Sequence, residues 1–406
     1  MIEKLLQINS VVNSGSTGRI AEEIGQIAIA AGWESYIAYG RHARTSQSKL
    51  IKIGSDWDIR MHGLQTRLFD RHGLASIAAT REFVEQIKKI KPDIIHLHNI
   101  HGYYINIEIL FRYLKDANIP VVWTFHDCWP MTGHCAHFTF VGCEKWKTQC
   151  FSCPQKKDYP SSYFLDRSKQ NHKQKRKLFT SVNDMTIVSV SNWLADIVKQ
   201  SYLKDYPTLV INNGIDVNVF SPQSRDSIRL KYGLADKFIL LGVATEWGRR
   251  KGLHDFIELS KILKDDEIIV LVGLKEDQIK ILPENIIGIS RTESTQELAE
   301  FYSSANVFVN PTWEDNFPTT NLEAMACGTP VVTYRTGGSP EALTPKTGFV
   351  VEQGDLASIR KAIDTVKSKG KAFYSAACRE RTTKMFNKND RYAEYLQLYE
   401  QMLSER

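Results

Sequence analysis

No apolar run in this sequence approaches the roughly 20 residues that a membrane-spanning helix needs, which excludes an integral membrane protein built of helices. Met1 to Ile8 carries Glu3 and Lys4 and lacks a small-residue cleavage site, so it reads as a first strand rather than a signal peptide. The expected location is the cytoplasm, extending to the inner face of the cell membrane, where cysteines stay reduced. Neither an internal repeat nor a low-complexity segment is present. No helix-turn-helix pattern or aromatic-interleaved basic motif accompanies the positive charge, so nucleic acid is not an expected partner. Gly-x-Gly-x-x-Gly is missing from the first strand–helix junction, which weakens the case for a nicotinamide-dependent oxidoreductase.

What remains is an ordinary globular composition, 42% hydrophobic and 24% charged over 406 residues, long enough for two domains. The net charge of +6 is unevenly divided: residues 1–212 hold 27 Lys/Arg against 19 Asp/Glu, and residues 213–406 hold 25 against 27. The densest basic stretch is Arg167, Lys169, Lys173, Lys175, Arg176 and Lys177. It reads either as a solvated helix face or, as the segment 167–177, as a peripheral contact for anionic lipid.

Short β-branched runs alternate with amphipathic stretches. In the first half the expected strands are Leu5–Ile8, Ser35–Tyr39, Ile94–Leu97, Val121–Phe125 and Thr186–Val190. The expected helices between them are Thr17–Ala31, Arg81–Ile90 and Ile105–Ala117. Apolar runs flanked on both sides by helices indicate a parallel sheet buried on both faces. After a connector rich in Asn, Gly, Asp and Pro the alternation restarts, with strands Phe238–Val243, Ile268–Val272, Ile286–Ile289, Val307–Val309 and Val331–Thr333. Helices are expected at Leu253–Leu263, Gln296–Ser304, Thr320–Ala326 and Leu356–Val366. Two successive βα arrays imply an α/β protein of two doubly wound domains, with ligands beyond the carboxyl ends of the strands. The expected division is 1–212, a linker 213–222, a second domain 223–388, and a helix within 389–406 that braces both.

The chemistry concentrates in residues 310–330, NPTWEDNFPTTNLEAMACGTP. A strand ends at Asn310 and a helix starts near Thr319, whose free N–H groups and dipole favour an anion. Asn316, Phe317, Pro318, Thr319 and Thr320 form a turn that suits a diphosphate, with Asp315 just before it. Glu323, one turn into the helix, is placed to accept hydrogen bonds from ribose hydroxyls. A plain βα loop with a capping Thr and a solvated Glu is the bland alternative. A departing diphosphate also needs fixed positive charge. Gly248-Arg249-Arg250-Lys251-Gly252 follows a strand and opens a helix, where basic residues oppose the dipole unless an anion is bound.

These segments resemble the signature of the retaining family-4 glycosyltransferases of the GT-B fold, particularly bacterial exopolysaccharide and colanic-acid-type members. Their pattern is two acids separated by seven residues and followed by Ala-Met-Ala-Cys-Gly-Thr-Pro-Val; here it runs from Asp315 through Glu323 to Val331. The first acid is usually Glu; here it is Asp, preceded by Glu314. The loop Thr336-Gly337-Gly338-Ser339-Pro340-Glu341 is similar to the turn that follows in those enzymes. The resemblance implies two Rossmann-like domains facing a cleft and transfer from a nucleotide diphosphate-sugar to a glycan or lipid-linked acceptor with retention. The setting it implies is bacterial surface-polysaccharide or lipopolysaccharide synthesis, and no catalytic cofactor is needed. It further implies that Asp315 lies by the donor sugar, Glu323 by the ribose, and Lys251 by the diphosphate. Arg249 or Arg250 stands in for an arginine that the family places further upstream, where this chain has Glu246. Arg291, in the segment Ile289–Glu293, is expected near the base.

In the first half, the Asn13–Gly18 loop has glycines that let backbone approach a ligand, and its place is similar to the family's first loop, giving Gly18 a donor-side role. His96 and His98 share one strand face while His101 lies beyond it. His126 ends a strand at the carboxyl edge and is followed by Asp127; in the family such a histidine contacts the donor sugar. Five of the seven cysteines fall in an insertion at 128–160. Cys150-x-x-Cys153 has knuckle spacing, and Cys135 and Cys143 complete four thiolates for a structural Zn²⁺, with His134 and His137 as substitutes. Buried free thiols are the other reading. Two further functions compete: a nucleotide-sugar epimerase or hydrolase of the same architecture, and a non-enzymatic zinc-bearing assembly protein.

Overall fold

The structure is a computed structural model and describes residues 2–224 and 226–406. The chain divides into two compact units, Met1–Asn212 with Arg391–Arg406, and Asn213–Asp390.

The first unit carries a sheet of β1 (Lys4–Ile8), β2 (Glu34–Tyr39), β3 (Lys49–Lys52), β4 (Ile94–Leu97), β5 (Val121–Phe125), β6 (Met185–Ser189) and β7 (Thr208–Val210). Its strand order is β3-β2-β1-β4-β5-β6-β7, and every pairing is parallel. β4, β5 and β6 are buried along their whole length, as strands covered on both faces must be. The chain winds outward from β1 to β3, then returns to β4 on the other side of β1. The switch of direction therefore lies between β1 and β4, where a doubly wound sheet opens its ligand crevice at the carboxyl ends.

The second unit repeats the plan with β8 (Phe238–Val243), β9 (Glu267–Val272), β10 (Ile286–Ile289), β11 (Val307–Asn310), β12 (Val331–Tyr334) and β13 (Gly348–Val351) in the order β10-β9-β8-β11-β12-β13. Its switch lies between β8 and β11. These are the two strands whose following loops hold Arg249–Lys251 and Asp315.

The helix Lys388–Ser404 begins in the second unit, and its apolar stripe completes the core of the first. Tyr392, Tyr395, Leu398, Tyr399 and Met402 recur at helical spacing and pack with Leu5, Ile94, Val122 and Val188 from the sheet. Each tyrosine hydroxyl among them needs a partner once buried. Tyr399 Oη meets His96 Nδ1 at 2.6 Å, and Tyr395 receives the Thr124 hydroxyl at 3.2 Å.

Strands β3, β7 and β13 and the helices Asp56–Phe69 and Ala372–Met385 were not among the expected elements. β3 and β7 are sheet edges only four and three residues long and partly exposed, so they lack a continuous apolar run. The helix Asp56–Phe69 presents no apolar stripe toward the protein: its buried residues are His62, Gly63 and Thr66.

Candidate functional site

In the second unit the turn Arg249–Lys251 is bolted to the loop after β11. Arg250 O accepts from Trp313 N at 2.7 Å and from the Thr312 hydroxyl at 3.2 Å, and Arg250 Nη1 donates to Glu314 O at 2.9 Å. Gly252, with φ +75°, permits this approach, because a Cβ there would stand 2.2 Å from Pro311 O. Lys251 and Asp315 form an ion pair across the two loops, with their side chains about a fifth exposed. Burial pulls the Lys251 pKa below its ordinary value; Asp315 pulls the other way, and Arg250 adds to the depression. The paired glycines cradle the same acid. Gly338 N donates to Asp315 O at 3.1 Å, and a Cβ on Gly337 (φ +53°) would lie 1.9 Å from that oxygen.

The helix Thr319–Ala326 starts at Pro318, which offers no side-chain cap, and no acid lies in its first turn. Its place is fixed by a buried polar network that sequence reading missed. Asn310 Nδ2 donates to Asn321 Oδ1 at 2.8 Å, and Asn321 Nδ2 donates to the Ser339 hydroxyl at 3.0 Å. The Ser339 hydroxyl lies 2.7 Å from that of Thr333, which donates to Asn310 O at 2.9 Å. All four residues are buried, so each bond is made where water cannot substitute. Two buried asparagines at a strand end and a helix start were the available signal.

Glu323 departs from the expectation of a ligand-facing acid. It is 3% exposed, and Oε2 accepts from Tyr302 Oη at 2.9 Å. Asn316, Phe317 and Pro318 are also buried, while Thr319 and Thr320 are half-buried. Asn213 Nδ2 holds Phe317 O at 3.2 Å, and the Phe317 ring packs on Phe386 at 5.7 Å. Arg249 is exposed on the turn, and Arg291 is exposed after β10. β10 is the outermost strand, two spacings of about 4.8 Å from β8.

In the first unit, the loops after β1, β4 and β5 meet at the carboxyl edge. Gly18 lies inside the helix Gly15–Ala30 rather than in the loop before it, and it is buried. A Cβ there would stand 3.0 Å from Val11 Cγ2, so its smallness serves packing against the β1 loop. His126 is the end of a relay. Gln7 Nε2 donates to Ala21 O at 2.8 Å, which turns Gln7 Oε1 toward His98 Nε2 at 3.0 Å. His98 therefore carries its proton on Nε2, and its Nδ1 accepts from His126 Nε2–H at 3.1 Å. Burial lowers the His126 pKa to about 4 despite Asp127, with His101 adding to the depression. The imidazole is thus neutral at pH 7 and offers no positive charge of its own. Burial would raise the Asp127 carboxyl, but His101 Nε2 at 2.8 Å and the Trp129 N–H hold it at about 2. The expected shared face of His96 and His98 is present, with ring centroids 4.0 Å apart.

In the insertion, Cys135, Cys143, Cys150 and Cys153 line one cavity of ≈ 10 Å³ together with His134, about the room of one water. No disulfide joins any of the seven cysteines among the described residues. Among the same residues no group of three or more His, Cys, Asp or Glu side chains is arranged to hold a metal ion. His134 is spoken for through Nδ1, which meets the buried Asp70 at 2.6 Å. The basic stretch is not uniformly solvated: Lys169, Lys173, Arg176 and Lys177 are exposed, while Lys175 is buried and donates to Trp129 O at 2.8 Å.

Residues 17–219 match the model of Glycosyltransferase Family 4, and residues 224–385 match that of Glycosyl transferases group 1. A protein of Escherichia coli (strain K12) described as a putative colanic acid biosynthesis glycosyl transferase, WcaC, is 25% identical over 385 residues, covering 87% of this chain and 89% of that one. Sucrose-phosphate synthase from Thermosynechococcus elongatus superposes with a TM-score of 0.74 over 100% of both chains at 18% identity. Anabaena Alr3699/HepE in complex with UDP-glucose superposes with a TM-score of 0.67 over 97% of this chain and 99% of that one, at 15% identity. The fold is GT-B.

Proposed function

The chain belongs to the group 1 glycosyltransferases, and on that premise we propose that it moves a sugar from a nucleotide diphosphate-sugar to a glycan or lipid-linked acceptor with retention of configuration, in bacterial surface-polysaccharide synthesis. The observation that carries this is the Lys251–Asp315 pair, which joins the two loops at the switch point of the second sheet. Lys251, Arg250 and the uncapped start of Thr319–Ala326 supply positive potential for a diphosphate leaving group. Asp315 holds Lys251 in place and exchanges that bond when the anionic ligand arrives. Glu323 acts beneath the ribose through its bond with Tyr302, not as an open acceptor. His126, following β5 at the carboxyl edge of the first unit's own sheet, is a neutral imidazole. No side chain is assigned as nucleophile, so the acceptor hydroxyl is deprotonated by the departing phosphate on the same face. The WcaC likeness supports the polysaccharide setting, and the HepE complex supports a UDP-sugar among the donors to try first.

A structural zinc in the insertion, held by Cys135, Cys143, Cys150 and Cys153, belongs to this reading; their shared cavity supports it. Its four thiols would have to turn onto a common centre. Four thiolates leave no open position, so such an ion would serve folding and not the reaction. The expected site of action is the cytoplasmic face of the membrane.

The test is a thermal-shift panel of UDP, GDP and ADP followed by turnover of the matching nucleotide-sugars, with the product anomer read by NMR. Stabilisation by one diphosphate and a product with the donor's anomeric configuration are expected. No stabilisation by any of the three would overturn the donor assignment, and an inverted product would overturn retention.

A further inference from the structure

The helix Asp56–Phe69 is turned inside out. Its inward side chains are polar or minimal: His62 is 1% exposed, Thr66 is 0% exposed, and Gly63 is buried between them. His62 is held by hydrogen bonds and by edge contacts of its ring with His72 and Tyr103, and Thr66 bonds back within the helix. His62 Nδ1 meets the Ser76 hydroxyl at 2.8 Å, its Nε2 accepts from Gly73 N at 3.0 Å, and the Thr66 hydroxyl donates to His62 O at 2.9 Å. Ordinarily the apolar stripe of a surface helix faces the core and the charged one faces water. Here Trp57, Met61, Leu64 and Leu68 recur at intervals of four, three and four, so they share the opposite face, with Trp57 and Leu64 exposed and Met61 and Leu68 half-buried between them. Trp57 is 67% exposed and Leu64 is 44% exposed. Arg60 and Arg67, both exposed, stand one and three positions from that line and flank it on one side.

A second run of exposed apolar side chains is tied to the end of this helix. Tyr163 N donates to Arg67 O at 2.8 Å. Tyr163, Phe164 and Leu165 are then exposed in succession, Phe164 by 69%. Basic side chains border this run as well: Lys157 before it and Lys169 and Lys173 after it, all exposed. The exposed acids along the same segments are Asp56, Asp158 beside Lys157, and Asp166. Asp56 pairs with Lys52 at 2.8 Å, and Asp166 is engaged by Ser168 and by Cys153 N. Isolated exposed apolar residues are normal on any protein, but here an outward Trp-Leu stripe and an exposed Tyr-Phe-Leu run are joined at Arg67.

We propose that this surface of the first unit, the outward stripe of Asp56–Phe69 with the loop Tyr163–Leu165, docks onto an anionic lipid bilayer and lies in its interface. The composition decides between occupants. A tryptophan, a tyrosine and aliphatic side chains suit the headgroup–acyl boundary, where each ring places an apolar body in lipid and a polar tip in water. The flanking Arg and Lys side chains match negative headgroups. None of the helices among the described residues is long and apolar enough to cross a membrane, so the attachment is interfacial. The surface differs from the segment 167–177 considered on sequence alone, because that helix buries Lys175 and keeps its apolar residues Leu178 and Phe179 inside.

The experiment is sedimentation of the full chain with extruded vesicles, of phosphatidylcholine alone or with roughly one-third phosphatidylglycerol. The chain should pellet with the anionic vesicles and much less with the neutral ones, and added salt should weaken binding. W57S combined with L64S should lower the partition coefficient by about tenfold or more, and R60Q combined with R67Q should lower it by a similar factor on anionic vesicles only. Because these side chains are exposed, the thermal midpoint should stay within about 2 °C of wild type, which separates lost docking from lost folding. F164S tests the loop independently. Equal pelleting of wild type and all variants, or no pelleting of wild type, would overturn the proposal. So would a lipid-free dimer that dissociates in W57S/L64S, which would assign the patch to a second copy of the chain. Lipid binding is read without any donor or acceptor, so its failure leaves the glycosyl-transfer reading standing.

Discussion

Lys251 depends on its neighbours in a way that sets the outcome of removing it. Burial disfavours its charge, Asp315 restores it, and Arg250 opposes it. Replacing Lys251 with Ala removes the cation that an ion pair holds at the β8–β11 switch. Turnover should fall by about 10²–10³, the usual cost of a lost group that stabilises developing negative charge, with nucleotide affinity reduced as well. Wild-type transfer by Lys251→Ala in a donor-consumption assay would refute the phosphate assignment. At the other site, His126 titrates near 4 in the folded chain and near its ordinary value of 6.5 when unfolded. Between those values the unfolded chain binds a proton that the folded chain refuses, so stability declines as pH falls from about 6.5 toward 4. Asp127 acts in a lower window: its folded pKa of about 2 lies below the ordinary 3.8, so its contribution is complete above about 4 and is lost as pH falls toward 2. The thermal midpoint followed from pH 7 to 4 should drop in the wild type, and the drop should be shallower in His126→Gln.

Elements show where sequence pattern suffices and where it stops. β8 and β10 were legible to the residue, because buried parallel strands are short continuous apolar runs bounded by turn residues. The helix Leu253–Ser260 ends three residues before the position that its apolar periodicity suggested, since Leu263 follows a turn. For Gly18, sequence shows smallness but not what the missing side chain would strike, which is Val11. For Glu323, expected by the ribose, spacing gives the helix turn but not the partner, because Tyr302, whose hydroxyl it accepts, is 21 residues away in the chain. Gly337 lies in a turn, as the resemblance implies, and its missing side chain would strike Asp315 O. Gly337→Ala demands a left-handed residue with a Cβ inside another backbone oxygen, a strain of about 1–3 kcal/mol. It should weaken nucleoside diphosphate binding in calorimetry. The helix Lys388–Ser404 offers a graded test. Tyr399→Ala should cost about 3–5 kcal/mol, as for other buried aromatics. Tyr399→Phe should cost about 1 kcal/mol for the bond to His96, both read from urea unfolding.

Across the whole molecule, the two-array plan was evident because hydrophobic runs and amphipathic stretches alternate twice with a connector between them. The ownership of the final helix was not evident, because contact between residues 96 and 399 leaves no local trace. Two units with separate cores need not unfold together. Scanning calorimetry should resolve two transitions, and a bound nucleoside diphosphate should raise one of them, by RT ln(1 + [L]/Kd), while leaving the other in place. An equal rise in both would show that donor binding couples the units.

The discontinuity of the first unit also sets an order of events during synthesis. Its opening 212 residues emerge early, yet the tyrosines that seal the floor of their sheet lie within residues 391–406. The middle of the chain is therefore the first part to have everything it needs. Until those residues are added, the side of β1, β4, β5 and β6 that the tyrosines cover stays unroofed.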